Sequence, residues 1–254
     1  MDLKIVSWNC HYGLTNEKWC ALKNFCNDAA IYVIQEVLEN EFIDIADFEG
    51  IEKYKYRHWY GDHQEYGNCH IPRGAEGDLG IVLISKYRIQ RFDHGLIRFR
   101  YVVPYILYDT NNEKCILIHV WTKGKPDGYI EPIYKALSYY KEQFKQKKLP
   151  IIMIGDFNFG IELNDKYGKK FMNEFTKKLE TEIPELKMLE LLGENKQSFY
   201  YPRYSDKKYF NDCVYAKGIT GQFTIGNVAD WIRALGSKED YSDHCPIMAE
   251  LSLK

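Results

Sequence analysis

Polar residues of the kinds that bind hard cations or move protons recur beside the apolar runs of this chain. One run ends Ser7-Trp8-Asn9 and another Ile34-Gln35-Glu36. His119 lies between Ile118 and Val120, a fourth run ends Gly155-Asp156-Phe157-Asn158, Asp212 interrupts the run 210–215, and Ser242-Asp243-His244 opens the last one. Carboxylates and amides suit metal and phosphoryl chemistry, and imidazole suits proton transfer. Rigid strand ends can aim all of them at one cleft.

Each residue type also has a plainer use. Asn9 and Asn158 suit turns in which the side chain bonds its own backbone. Glu36 suits the start of a helix, where a carboxylate meets the positive end of the dipole. His119 suits a core histidine with one satisfied nitrogen. Asp156 is harder to place passively, because it follows four consecutive apolar residues and a buried carboxylate needs a partner. Asp243-His244 sets a carboxylate beside an imidazole.

The elements that must position these residues are short. Apolar runs rich in Ile and Val at 3–8, 31–34, 79–85, 101–108, 115–120, 151–154, 210–216 and 246–251 read as largely buried strands. Helical spacing relates Ile130, Ile133, Tyr134, Leu137, Tyr140 and Phe144, and again Phe171, Met172, Phe175 and Leu179; a further helix is expected over 17–27. With no repeat, linker or break in composition, residues 1–254 form a single domain, and a two-sheet sandwich with helices packed outside fits the order of elements.

Composition narrows the classes. At 45% hydrophobic and 28% charged, the chain is a soluble globular type and not a disordered or fibrous one. No apolar run approaches the ~20 residues that span a bilayer, so no membrane insertion is expected. A net charge of −2 removes the overall basic field of a general nucleic-acid binder, so an anionic substrate must be met locally. The seven scattered cysteines, without a CxxC pair, suit reduced thiols and argue against a structural zinc. The start Met1-Asp2-Leu3-Lys4 runs into an apolar strand with no secretory h-region, which reads as cytoplasmic. No protein partner is indicated, and a monomer is expected.

Taken in order, the motifs Ser7-Trp8-Asn9, Gln35-Glu36-Val37, residues 80–87, Gly155-Asp156-Phe157-Asn158 and Ser242-Asp243-His244-Cys245-Pro246 resemble the endonuclease/exonuclease/phosphatase superfamily of Mg²⁺-dependent phosphoesterases. The resemblance runs from Ile5 to Leu251. It implies a four-layered α/β sandwich like that of DNase I, with two packed, mainly antiparallel sheets flanked by helices. It also implies that Glu36 binds Mg²⁺, replaceable by Mn²⁺, with Asn9 and Asp243 completing the surroundings. Asp156 would orient or deprotonate the attacking water, Asn158 would donate to phosphoryl oxygens, His244 paired with Asp212 would contact the phosphate or act as base, and His119 would be a second active-site histidine.

The substrate implied first is a phosphodiester of DNA or RNA. The alternatives are a small phosphorylated metabolite, an inositol phosphate or a lipid head group and, outside catalysis, a binding protein on the same fold. The segment His119-Val120-Trp121-Thr122-Lys123-Gly124 departs from the abasic-site endonucleases and argues against abasic-site repair. Lys53, Lys55, Arg57 and Lys123 are the candidate phosphate contacts, the first three in a run where cations alternate with rings; a half-buried strand alternates in the same way. His63, Cys69, His70 and Arg73 occur in a stretch, 61–77, that matches no standard zinc spacing and reads as a rim loop.

Overall fold

Continuous apolar strands must be covered on both faces, because no polar side is left for water. The computed structural model, which describes residues 1–61, 79–92, 102–122, 130–163, 165–201, 204–236 and 242–253, meets that demand with two facing sheets and helices outside. The strands are β1 (Asp2–Asn9), β2 (Ile31–Leu38), β3 (Tyr56–Gly61), β4 (Leu79–Ser85), β5 (Ile89–Arg91), β6 (Val102–Asp109), β7 (Asn112–Trp121), β8 (Ile151–Ile161), β9 (Lys187–Met188), β10 (Glu190–Leu192), β11 (Phe199–Tyr201), β12 (Tyr204–Lys217), β13 (Thr220–Ile225) and β14 (Ile247–Ser252). The helices are α1 (Asn16–Phe25), α2 (Glu39–Asp44), α3 (Glu131–Lys147), α4 (Lys166–Glu182) and α5 (Val228–Ala234). One sheet has the order β10-β13-β14-β1-β2-β4-β3; the other runs β11-β12-β8-β7-β6-β5, with β9 beside β12.

Side chains alternate between the helix layers and the space between the sheets. Trp8 meets Trp231 of α5, Tyr32 meets Trp19 of α1, and Phe157 meets Phe175 of α4. Ser7, Asn9, Gln35, His119 and Asp156 turn the other way: Asn9 meets Asp156 and Gln35 meets His119 across the sandwich, while Ser7 bonds Gln35 within its own sheet. The helices form where their caps and apolar stripes allow. Thr15 accepts from the Lys18 N–H to start α1, Asp165 accepts from Gly168 to start α4, and α3 buries Ile133, Tyr134, Leu137, Tyr140 and Phe144.

Two parallel pairs fix where the chemistry gathers. β1 pairs with β2 after the α1 crossover, and β7 pairs with β8 after α3, so four strands point their carboxyl ends toward the same end of the sandwich. The antiparallel neighbours β12 and β14 begin there. The apolar runs end at Ile34 and Ile154, but the strands do not, since β2 continues to Leu38 and β8 to Ile161. Glu36 and Asp156 therefore sit within hydrogen-bonded ladders and not at strand termini. Sequence patterning does not mark β5, β9 to β11, β13, α2 and α5, most of which are short with apolar residues in no extended period; β3 falls in the alternating run 53–60, which reads as a half-buried strand.

Gly155 is required by packing. Its φ is +148°, and a β-carbon there would overlap the Val120 carbonyl on β7. Gly155→Ala is expected to lower unfolding free energy by at least about 2 kcal/mol, because both backbone strain and overpacking oppose it. Gly236→Ala, at φ +70° with open space around it, isolates the dihedral penalty alone, about 1–2 kcal/mol. Urea unfolding of the two variants checks the order; equal losses would contradict the close approach of β7 and β8.

Candidate active site

Register and two irregularities assemble the site. Asp212 on β12 lies directly opposite Asp156 on β8. The β2–β4 register shifts between Gln35 and Val37, and the β12–β8 register shifts between Phe210 and Asp212, so each sheet has a bulge beside a key carboxylate. In a regular strand Glu36 would face the helices, since Gln35 faces the other sheet. Its φ of +62° at the bulge brings the carboxylate instead to Asn9, whose Nδ2 donates to Glu36 Oε1 at 3.0 Å. Asn158, at φ +49°, is a second non-glycine residue in the left-handed region. Each such residue costs about 1–2 kcal/mol, which the surrounding contacts must offset.

Asn9 joins the two sheets. Its Nδ2 also donates to Asp156 Oδ2 at 3.0 Å, and its Oδ1 accepts from the His11 backbone N–H at 3.0 Å. Asp156 is fully buried and accepts two further bonds from Asn158, one from the backbone N–H at 2.8 Å and one from Nδ2 at 3.0 Å. His244 Nδ1 lies 2.9 Å from Asp212 Oδ2, while its Nε2 lies 3.9 Å from both Asp156 Oδ2 and Asp243 Oδ1. The imidazole thus has one nitrogen fixed by a carboxylate and the other turned toward Asp156 and Asp243.

The backbone around His244 is held as firmly. Its carbonyl accepts from the indole N–H of Trp8 and of Trp231, each at 3.0 Å, and its N–H donates to Ser242 Oγ. Trp231 is a fully buried core residue. Ser198 Oγ accepts from the backbone N–H groups of Asn211 and Asp212, and the Phe199 ring meets the imidazole edge-on at 4.9 Å. None of Ser198, Phe199 or His11 stands out in the sequence. His11 has no motif to mark it, yet its Nδ1 lies 3.3 Å from Asp243 Oδ1.

Charge in this cluster is set by burial and by the neighbours. Burial pushes Asp156 up to about 8 and Asp212 adds to the rise, against the attraction of His244 and the bonds from Asn9 and Asn158. For His244 burial opposes the charged form, but Asp212, Asp156 and Asp243 together outweigh it and raise the imidazole to about 10. Burial would also raise Asp243, and the bond from His11 with the charges of His244 and His11 holds it below the usual carboxylate value.

One cluster among the described residues brings ligand atoms for a cation together. Asp156, Asp212 and His244 have theirs within 4.8 Å of one another. Most of those atoms are already engaged internally; Asp212 Oδ1 is buried without a hydrogen-bond partner. The residues expected from sequence, Glu36, Asp243 and Asn9, offer oxygens, the donor type that Mg²⁺ takes, and Asn9 Oδ1 already accepts from the His11 N–H. Glu36 is half-buried, and only its Oε1 is engaged among the described residues.

Not every expected residue arrives here. His119 is fully buried between the sheets, with Nε2 2.7 Å from Gln35 Nε2 and Nδ1 unpartnered, and burial depresses it to about 3. No hydrogen bond or ion pair among the described residues joins it to Asp156 or His244, and its surroundings are those of a neutral core histidine. Lys53, Lys55 and Arg57 also lie elsewhere. Arg57 pairs with Ile84, which pairs with Tyr32, four residues before Glu36, and Lys53 lies 3.5 Å from Asp28 in the turn that precedes β2. At ~3.3 Å per residue the three cations sit more than about 10 Å back along the sheet. Their alternation with buried Tyr54 and Tyr60 is that of an edge strand and the turn leading into it. Lys123 and residues 62–77 of the expected rim loop lie outside the described residues.

Both cluster shifts are upward, so between pH 6.5 and about 8 the folded chain binds more protons than the unfolded one. Stability then falls as pH rises through that interval. Chelator-treated protein is expected to show a lower urea midpoint at pH 8 than at pH 6.5, and Asp156→Asn to flatten the dependence. A midpoint that rises with pH would contradict this proton count.

No protein-family model and no curated relative matches the chain. Solved structures do. An endonuclease/exonuclease/phosphatase protein of Bacteroides vulgatus aligns over 100% of both chains at a TM-score of 0.66 and 15% identity. The mannosyl-6-phosphatase Bt3783 of Bacteroides thetaiotaomicron aligns over 99% of this chain and 100% of its own at 0.62 and 13%. The endonuclease domain of TRAS1, a telomere-specific non-LTR retrotransposon, aligns over 100% of this chain and 99% of its own at 0.60 and 15%. Identities this low speak to architecture: the chain has the DNase I-like α/β sandwich of the endonuclease/exonuclease/phosphatase family.

Proposed function

We propose that this chain is a metal-dependent phosphoester hydrolase, using Mg²⁺ with Mn²⁺ able to replace it. The observation that carries the reading is the Asn9 amide, which holds Glu36 on one side and Asp156 on the other, with the His244–Asp212 pair facing Asp156. Glu36 would hold the cation with Asn9 and Asp243 beside it, and the bound cation supplies positive charge against the phosphoryl oxygens.

The protein's own groups do the rest. Asp156, kept in one orientation by three N–H donors, orients the attacking water and takes its proton. Asp212 fixes the tautomer and tilt of His244, whose Nε2 is left to meet the phosphate. Asn158 spends its amide on Asp156 and the Thr122 carbonyl, which suits a residue that orders the base at least as well as a phosphate donor.

For the substrate, a phosphodiester of DNA or RNA remains the first reading, supported by the likeness to the TRAS1 endonuclease domain. A small phosphorylated metabolite, such as a sugar or inositol phosphate, is the second. The remoteness of Lys53, Lys55 and Arg57 favours it, since a strand of nucleic acid needs several cations near the site.

A chelator is expected to abolish turnover of bis-p-nitrophenyl phosphate, and Mg²⁺ or Mn²⁺ to restore it. Glu36→Gln is expected to raise the Mg²⁺ needed for half activity, while Asp156→Asn and His244→Ala each lose about 10²–10⁴ in rate with an intact fold. Chelator-resistant activity, or variants within a few-fold of the parent, would contradict the assignment. Binding of Asp156→Asn to a labelled oligonucleotide across a salt series separates the substrates. A steep log–log slope supports nucleic acid, and replacing Lys53, Lys55 and Arg57 with Ser is expected to leave it unchanged. Absence of binding at low salt supports the small phosphoester.

A further inference from the structure

The loop that follows Asn9 runs backward through left-handed space. His11, Tyr12 and Gly13 have φ of +50°, +55° and +120° in succession, a sequence of conformations that needs an external hold. The hold is Lys18, from the first turn of α1. Its side chain is buried, and its ammonium donates to the carbonyls of Cys10 at 2.7 Å, Gly13 at 2.8 Å and His11 at 3.4 Å. An ammonium has three donors and no acceptor, so three converging carbonyls satisfy it fully. Such a ring of backbone oxygens is also what replaces the hydration shell of a monovalent cation.

The loop so held touches each proposed cation ligand. The His11 N–H donates to Asn9 Oδ1, the Gly13 N–H to the Glu36 carbonyl at the bulge, and the His11 imidazole lies against Asp243. Glu41 reinforces the loop from outside by accepting from the Leu14 and Leu38 N–H groups. Without the ammonium, three carbonyls would crowd together with no donor, and the loop would open.

We propose that residues 10–13 form a monovalent-cation cage whose occupant is the chain's own Lys18 ammonium, and that Lys18 is thereby the positioning residue for Asn9, Glu36 and Asp243. The positional role rests on the phosphoesterase reading; the cage itself does not. Removing the side chain with Lys18→Ala leaves the carbonyls and vacates a space that free NH₄⁺, or K⁺ of similar size, can enter. Lys18→Met keeps an unbranched chain in that space and supplies no charge.

The test is thermal unfolding in EDTA with no Mg²⁺ and no substrate, comparing NH₄Cl, KCl and choline chloride at equal ionic strength. For Lys18→Ala, saturating NH₄⁺ is expected to raise the midpoint by about 2–4 °C over choline, with K⁺ acting in the same direction. The parent protein and Lys18→Met are expected to show no such difference. Equal midpoints for Lys18→Ala in all three salts would overturn the cage. If Lys18→Ala does not fold in choline, recovery of folded protein on refolding in NH₄⁺ but not in choline carries the same decision, and failure in both overturns it. A second arm measures the Mg²⁺ required for half activity: Lys18→Ala is expected to need at least about tenfold more in choline and to return toward the parent value in NH₄⁺. A parent enzyme without phosphoesterase activity would remove the function and leave the unfolding result to judge the cage. An unchanged Mg²⁺ requirement with a positive unfolding result would confine Lys18 to stability and overturn its positioning role.

Discussion

One amide group sets the terms for the whole site. The two N–H bonds of Asn9 Nδ2 go to carboxylates on different sheets, Glu36 on β2 and Asp156 on β8. Because these two acceptors sit on facing sheets, the arrangement exists only once the sandwich closes. Much of the local irregularity serves that closure. The bulge at Glu36 turns its side chain from the helix layer to the intersheet side, and Gly155 lets β8 press against Val120 just before Asp156. Charge-assisted bonds of this kind are stronger than neutral ones, and each makes the other's geometry stricter.

From that amide the site divides into two parts with different electrostatics. On one side Asp156, Asp212 and His244 are buried; Asp212 bonds the imidazole, whose other nitrogen is turned toward Asp156, and both Asp156 and His244 hold their protons to higher pH than they would in water. On the other, Glu36 and Asp243 are less enclosed, and Asp243 is kept ionised by His11. The first part handles protons because its acceptors are occupied and its burial keeps protonation levels near the working range. The second can take a hard cation because its donors are oxygens and not all are engaged. Indole and serine groups hold the His244 main chain from behind and so fix where the imidazole starts.

The sequence made the framework readable where two signals agreed. Continuous apolar runs marked the central strands, and polar residues within them marked Asn9, Glu36, Asp156, Asp212 and His244, all of which converge. It could not separate His119 from them, because a core histidine and a catalytic one interrupt an apolar strand in the same way, and only the facing Gln35 tells them apart. Lys53, Lys55 and Arg57 were misplaced for a related reason. Which end of an edge strand meets the site is decided by register with β4, and register leaves no trace in composition. His11 and Lys18 were invisible because their roles come from contacts with Asp243 and with backbone carbonyls, neither of which has a spacing rule.

Where a bound cation sits decides whether Asn9 separates a metal side from a proton-handling side. Crystals grown with Mn²⁺ and measured at a wavelength where manganese scatters anomalously would show where the ion sits. An anomalous peak is expected within bonding distance of a Glu36 carboxylate oxygen, with the His244–Asp212 hydrogen bond intact. A peak coordinated instead by Asp156, Asp212 and His244, with Glu36 unliganded, would contradict that division.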